Sequence, residues 1–198
     1  MKRNTAELKE KLIQTGVEEI RLHGIDQLSL RTVANACGVT HGTPYRHFQT
    51  KENYLRIVLK RISASLAQKL SEGIDPATRA REQLARLGYN LIIFARDNPY
   101  FFEALFAKFP FMYMELRDDT ILTSDDLTGF NEFKRIVVAL RGELTLANHE
   151  TETLLHFWSF ISGLALLVNG PIGRELEPET IQQMINDMLS IYLKGARS

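Results

Sequence analysis

Residues 28–51, LSLRTVANACGVTHGTPYRHFQTK, are the segment from which the rest of the chain can be read. Ser29 is a good N-cap residue, and Leu30, Val33, Ala34 and Cys37 recur at i, i+3, i+4 and i+7, the spacing of one apolar helical face. Gly38 stands where a helix can end in a left-handed residue, Val39 can fold back on a core, and Thr40 offers a second N-cap. The pattern predicts two short helices about a tight turn, the second over roughly His41 to Phe48. That second helix has too few large apolar residues to bury a face of its own. It carries His41, Thr43, Tyr45, Arg46 and His47 instead, so its outward chemistry is hydrogen-bond donors and rings. Phe48 is left as the plug that holds it to a core.

Two helices so joined form a helix-turn-helix, whose second helix can enter the major groove of DNA while flanking groups hold phosphates. An ordinary helical corner shares the turn but has no use for this outward set. The wording ACGVTHGTPYRHFQTKENYL closely resembles the recognition segment of the tetracycline-repressor-like (TetR-family) transcriptional regulators, over about residues 5–60. Beyond them the resemblance is one of helix layout. It implies an all-α fold: a three-helix DNA-binding head, residues 1–52, joined by a long helix to a ligand-binding and dimerisation domain, residues 53–198.

The composition agrees with a globular regulator. A chain of 198 residues that is 44% hydrophobic can bury a core, and its one cysteine excludes an internal disulfide. Cys37 and His41 stand four apart like two metal ligands, but Cys37 lies on the apolar face and reads as core. The N-terminus is charged from the start and the longest apolar run, Phe157 to Val168, is shorter than a bilayer span, which predicts a cytoplasmic protein with no membrane partner. Formal charge is zero overall, yet residues 1–60 hold ten Lys/Arg against six Asp/Glu, an excess of four positive charges that suits docking to nucleic acid. Phosphate-binding loops, nucleophile turns and zinc-protease motifs do not occur in the sequence, so neither an enzyme nor a cofactor is implied.

Around the motif, Leu8, Leu12, Ile13, Val17 and Ile20 predict a helix over Thr5 to His23, and Thr50 caps a long helix reaching to about Gly73. Arg21 and the basic residues near the start can touch phosphates, although a solvated helix face is the commoner place for them. Asp75-Pro76 reads as a cap and first turn for a helix to Asp97, and Asn98-Pro99 as the same signal for YFFEALF. Phe109 to Gly129 reads as loop with a fragment of helix, followed by a helix from about Phe130 to Leu144. Asn148 is the expected cap of a helix to Asn169, apolar nearly all round, and Pro178 opens a last helix to Lys194. Such a helix must be covered on every side, which points to a two-fold interface carrying Trp158, Ile185, Met188, Leu189 and Tyr192.

The family resemblance implies roles for single residues. Arg31, His41 and Thr43 are the expected readers of bases; Thr40, Tyr45, Arg46, His47 and Lys51 the expected phosphate anchors; and Gly42 lets the backbone approach. A second site is expected in the body, where Tyr89, Phe94, Phe102, Phe106, Phe133, His156 and Phe160 are the proposed walls of a small-molecule pocket, within an aromatic population that includes Phe109, Phe111 and Tyr113. Asn90, Arg96 and Asn169 could orient a ligand there. The expected function is a homodimeric repressor of a palindromic operator, released by a mainly apolar effector. The alternatives are an activator or a regulator answering to a protein partner, or a helical small-molecule-binding protein or enzyme whose head only resembles a DNA reader.

Overall fold

The structure is a computed structural model that describes residues 2–108, 114–117, 120–123, 128–144 and 149–196. The expected Asn148 cap and the rings of Phe109, Phe111 and Tyr113 lie outside the described residues. Among the described residues the fold is all-helical apart from one short hairpin. Its helices are α1 (Lys2–His23), α2 (Leu30–Cys37), α3 (Thr43–Phe48), α4 (Lys51–Ser71), α5 (Ala80–Asp97), α6 (Pro99–Phe102, continued by a wide turn over Glu103–Lys108), α7 (Thr128–Leu144), α8 (Glu150–Asn169) and α9 (Pro178–Gly195). The hairpin strands β1 (Met114–Arg117) and β2 (Thr120–Thr123) pair antiparallel, with Glu115 opposite Leu122 and Leu116 opposite Ile121. Loop and a fragment of helix were expected there. Asp118-Asp119 is not the Asn-Gly type of signal that announces a two-residue hairpin loop, and Lys134 Nζ on α7 holds the second strand by donating to the Ile121 carbonyl at 3.0 Å.

The chain divides into two compact units, Met1–Ser63 with Tyr100–Phe109, and Ala64–Pro99 with Pro110–Ser198. The first takes in most of α4 and the α6 segment as well as the expected head. Its core is built round Tyr54, which is fully buried, packs edge-on to Phe48 at 4.9 Å and donates its phenol proton to the Leu12 carbonyl at 2.8 Å. Desolvation by that burial pushes the phenol's pKa well above its ordinary value. The ring fits because residue 16 is glycine, where a Cβ would collide with the Tyr54 hydroxyl.

In the second unit α5 packs against α7, α8 and α9. The helix starts later than Asp75-Pro76 suggests: Asp75 Oδ1 accepts only from Ala77 N–H, at 2.9 Å, closing a turn, and α5 begins at Ala80. The Ala80 amide is capped from a distance by the Glu143 carboxylate of α7, at 3.1 Å, a pairing between residues 63 apart that no local pattern announces. Asn90 is buried and donates to the carbonyls of Leu70 and Glu72 at 3.0 and 2.8 Å, so it closes the end of α4 and is not a free ligand group. Helix α8 starts from His149, whose amide donates to Glu152 at 3.3 Å. By length and composition α8 could also cross a membrane, but its Thr151, Leu154, Phe157, Ile161, Leu164 and Val168 are buried within this unit.

Tyr54→Phe is expected to cost about 1 kcal/mol, the net worth of one buried hydrogen bond. Gly16→Val should cost more, about 1–3 kcal/mol or above, by overpacking. Urea titration followed by circular dichroism reads both. Equal stability of Gly16→Val and wild type would show that Tyr54 does not occupy this space.

Candidate nucleic-acid interface

The turn of the motif forms through local hydrogen bonds. Ser29 Oγ accepts from the Thr32 amide at 3.0 Å to start α2, and Gly38, at φ 72°, ends it in the left-handed conformation. The Val39 amide then donates back to the Ala34 carbonyl and the Gly38 amide to that of Asn35, both at 3.0 Å. Lys11 Nζ, reaching from α1, donates to the Cys37 carbonyl at 3.3 Å, a cation on the carbonyl end of α2. Cys37 is buried with its thiol 3.2 Å from Thr15 Oγ1, the core role expected of it.

Helix α3 begins at Thr43, two residues later than expected. Its N-cap is Gly42, while the hydroxyls of Thr40 and Thr43 share a hydrogen bond of 2.9 Å in the turn before it. Thr40 is therefore a turn residue and not the cap. Pro44 falls in the first turn, where its missing amide removes no helical hydrogen bond. Phe48 is fully buried, as expected of the plug, and Lys9 Nζ lies 5.9 Å from its ring centre.

Arg31, Thr40, His41, Gly42, Tyr45, Arg46 and Lys51 are exposed, and Thr43 and His47 half-buried. The imidazole of His41 is not loose: its Nε2 shares a 2.9 Å hydrogen bond with Asn35 Oδ1 on α2. Sequence reasoning passed over Asn35, six residues upstream, because the contact exists only once the turn has closed. Gly42 has an ordinary φ of −78°, and a Cβ there would meet nothing within 4 Å. Packing gives no reason for a glycine at this place. Arg21, a possible phosphate group, is instead engaged with Glu18 on its own helix at 2.8 Å, and this hydrogen bond lowers the carboxylate's pKa.

After Phe48 the chain reverses on one residue. Gln49 has φ 68° and ψ −54°, and the Thr50 amide donates to the Phe48 carbonyl at 2.8 Å, which is a γ-turn with positive φ. For a residue with a Cβ this costs about 1–3 kcal/mol. Asn53, also passed over, donates to the same carbonyl at 2.9 Å, while Thr50 Oγ1 caps α4 by accepting from the Asn53 amide at 3.0 Å.

The expected pocket walls are less united. Phe102 and Phe106 stack at 4.6 Å within the first unit. Phe133 joins Phe130 and Trp158 in an aromatic cluster of the second unit, with Trp158 4.9 Å from Phe130 and 5.9 Å from Phe133. Phe94 is buried, while Tyr89 and Phe160 are half-buried. His156 is exposed and bonded through Nδ1 to the Tyr192 hydroxyl at 3.1 Å, so it lines no interior wall. Arg96 pairs with Asp97 at 3.7 Å and Asn169 is exposed. The interface set also needs correction. Ile185 and Leu189 are 1% exposed and belong to the protomer's own core, and Trp158 is occupied by α7. The apolar side chains left exposed on α8 and α9 are Leu155, Leu166, Leu167, Met184 and Ile191.

A basic, outward-facing helix-turn-helix has the form of a DNA-reading motif. Residues 12–56 match the family model of bacterial regulatory proteins of the tetR family. A probable acrEF/envCD operon repressor of Escherichia coli is 30% identical over 81 residues, 38% of this chain and 37% of that protein. The chain thus spans little more than a third of the curated relatives it matches. Over nearly its full length it superposes on a transcriptional regulator from Rhodococcus (TM-score 0.69, 19% identity, 96% of this chain and 98% of that one). It also superposes on RolR in complex with resorcinol (TM-score 0.65, 14% identity, 100% and 94%). Residues 12–56 therefore carry a tetR-family DNA-binding domain, and the chain as a whole shares its fold with these solved regulators.

Gly38→Ala tests the turn. Nothing lies within 4 Å of the added Cβ, so the expected cost, about 1 kcal/mol, is that of the left-handed backbone alone. A loss above about 3 kcal/mol in thermal or urea unfolding would contradict that geometry.

Proposed function

We infer that the protein is a homodimeric repressor of a pseudo-palindromic operator, working in the cytoplasm and released by a mainly apolar small molecule. The observation that carries the DNA-reading part is Gly42: a glycine that the fold does not require stands at the leading edge of α3, among exposed donors. In this reading Arg31, His41 and Thr43 read bases, with Asn35 holding the His41 ring, and Thr40, Tyr45, Arg46, His47 and Lys51 anchor phosphates. Gly42→Ala should change unfolding stability by less than about 1 kcal/mol and lower operator affinity at least about tenfold. Arg31→Ala or Thr43→Ala should cost about 1–3 kcal/mol and relax preference at particular base pairs, whereas Lys51→Ala weakens all sequences alike. A base-substitution binding matrix on the footprinted operator checks this. Uniform losses from every variant would remove the division into readers and anchors.

The repressor sign is supported by the naming of the Escherichia coli relative. Dimerisation is supported by the apolar residues that α8 and α9 leave exposed, with Ile191 at 72% and Leu166 at 59%. Ile191→Glu is expected to yield folded monomer in sedimentation, since the residue is not part of the protomer core. Leu189→Glu should instead unfold the chain, because it buries an unpaired charge. An Ile191→Glu protein that stays dimeric places the two-fold elsewhere.

The effector reading is supported by resorcinol in RolR and by the aromatic residues of the second unit. Helix α4, whose residues are shared between the two units, is the proposed route of coupling. A hundredfold loss of operator affinity corresponds to about 2.7 kcal/mol, and linkage demands that operator weaken effector binding by the same factor. Phenolic and other apolar compounds that raise the melting temperature should therefore titrate more weakly when operator is present. A stoichiometric ligand with equal affinity in both titrations is not an effector.

A further inference from the structure

Away from the head, the start of α5 collects arginines that have no carboxylate partner among the described residues. Arg79, Glu82 and Arg86 recur at i, i+3 and i+7 on one side of that helix, and α9 brings Gln182 and Asn186, one turn apart, to face them. With Arg81 they line an open cavity of about 510 Å³. The volume is that of a small-molecule site, but the walls are charged. Three guanidinium groups meet one carboxylate there, a local excess of two positive charges.

The arginines are held in ways that leave their charge uncompensated. Arg81 Nη2 donates to the Ser190 hydroxyl at 2.8 Å, a neutral partner that itself donates to the Asn186 carbonyl at 2.7 Å. The guanidinium of Arg86 lies 6.0 Å from the Tyr89 ring centre, an arrangement that steadies the group while leaving N–H donors for another partner. Glu82 and Arg86 stand in the order that favours an i,i+4 ion pair, yet among the described residues neither they nor Arg79 form one. In the same unit Arg96, Arg117 and Arg135 each keep a carboxylate partner. Like charges gathered round a cavity oppose folding, and an oxyanion placed among them turns that repulsion into charge-assisted hydrogen bonds.

We propose that this groove between α5 and α9 binds a small molecule carrying two or more oxyanion groups, phosphate or carboxylate. Arg79, Arg81 and Arg86 take the oxyanions, the side-chain amides of Gln182 and Asn186 donate to them, and Glu82 accepts from a hydroxyl or amine on the same molecule. The site is independent of the operator reading and of the apolar effector.

Calorimetric titration of the full chain with pyrophosphate, and separately with citrate, at ionic strength held constant with chloride, tests the proposal. Saturable binding of one anion per chain is expected, with the preferred probe assigning the oxyanion as phosphate or carboxylate. Arg79→Gln and Arg86→Gln should each weaken binding about tenfold, Glu82→Gln should tighten pyrophosphate, which offers that carboxylate no hydroxyl or amine, severalfold by removing a like charge, and Arg46→Ala in the head should leave binding unchanged. The Glu82→Gln gain keeps the test decisive if an arginine variant fails to fold. Binding that is indifferent to all three groove variants, or abolished by Arg46→Ala, overturns the site. So does capture of a polyglutamate peptide with no binding of either small anion, which would give the groove to an acidic protein segment.

Discussion

The burial of one tyrosine holds the DNA-reading unit together. Tyr54 belongs to α4, its hydroxyl serves α1 through Leu12, its ring supports α3 through Phe48, and the room it needs is supplied by the missing side chain of Gly16. Three helices therefore depend on one side chain. A six-residue helix such as α3 cannot persist alone in water, since nucleation costs more than so few hydrogen bonds return. It exists because Phe48 is packed against Tyr54, and every outward group on it inherits its position from that contact.

The head was legible because its signals are local. Ser29, Gly38 and Thr50 act where a cap or a left-handed residue is expected, and the apolar face of Leu30, Val33, Ala34 and Cys37 is buried as its spacing requires. Thr40 shows the limit of such reasoning. It has the right chemistry for a cap, but its hydroxyl is drawn to Thr43 and the helix waits two residues.

The body was less legible because tertiary partners decide it. A helix apolar on all sides says that it will be covered but not by what, so Ile185 and Leu189 were assigned to a partner chain when the protomer covers them itself, and Trp158 is covered by α7. Asp75 looked like the cap of α5, while the cap comes from Glu143 in another helix. The hairpin at 114–123 lacks a turn signature and is held by Lys134. His156 has the chemistry of a ligand group, but its place beside Tyr192 is outside.

The γ-turn at Gln49 has a mechanical meaning. Most helix pairs are joined by several residues whose dihedrals can absorb a displacement, so one helix can shift while the other stays. Here only two residues, Gln49 at an unfavourable φ and the cap Thr50, separate the end of α3 from the start of α4, and Asn53 fastens the joint to the Phe48 carbonyl. The connection has no slack. A twist in the first turns of α4 is handed to the recognition helix without backlash, as between two gears on one shaft.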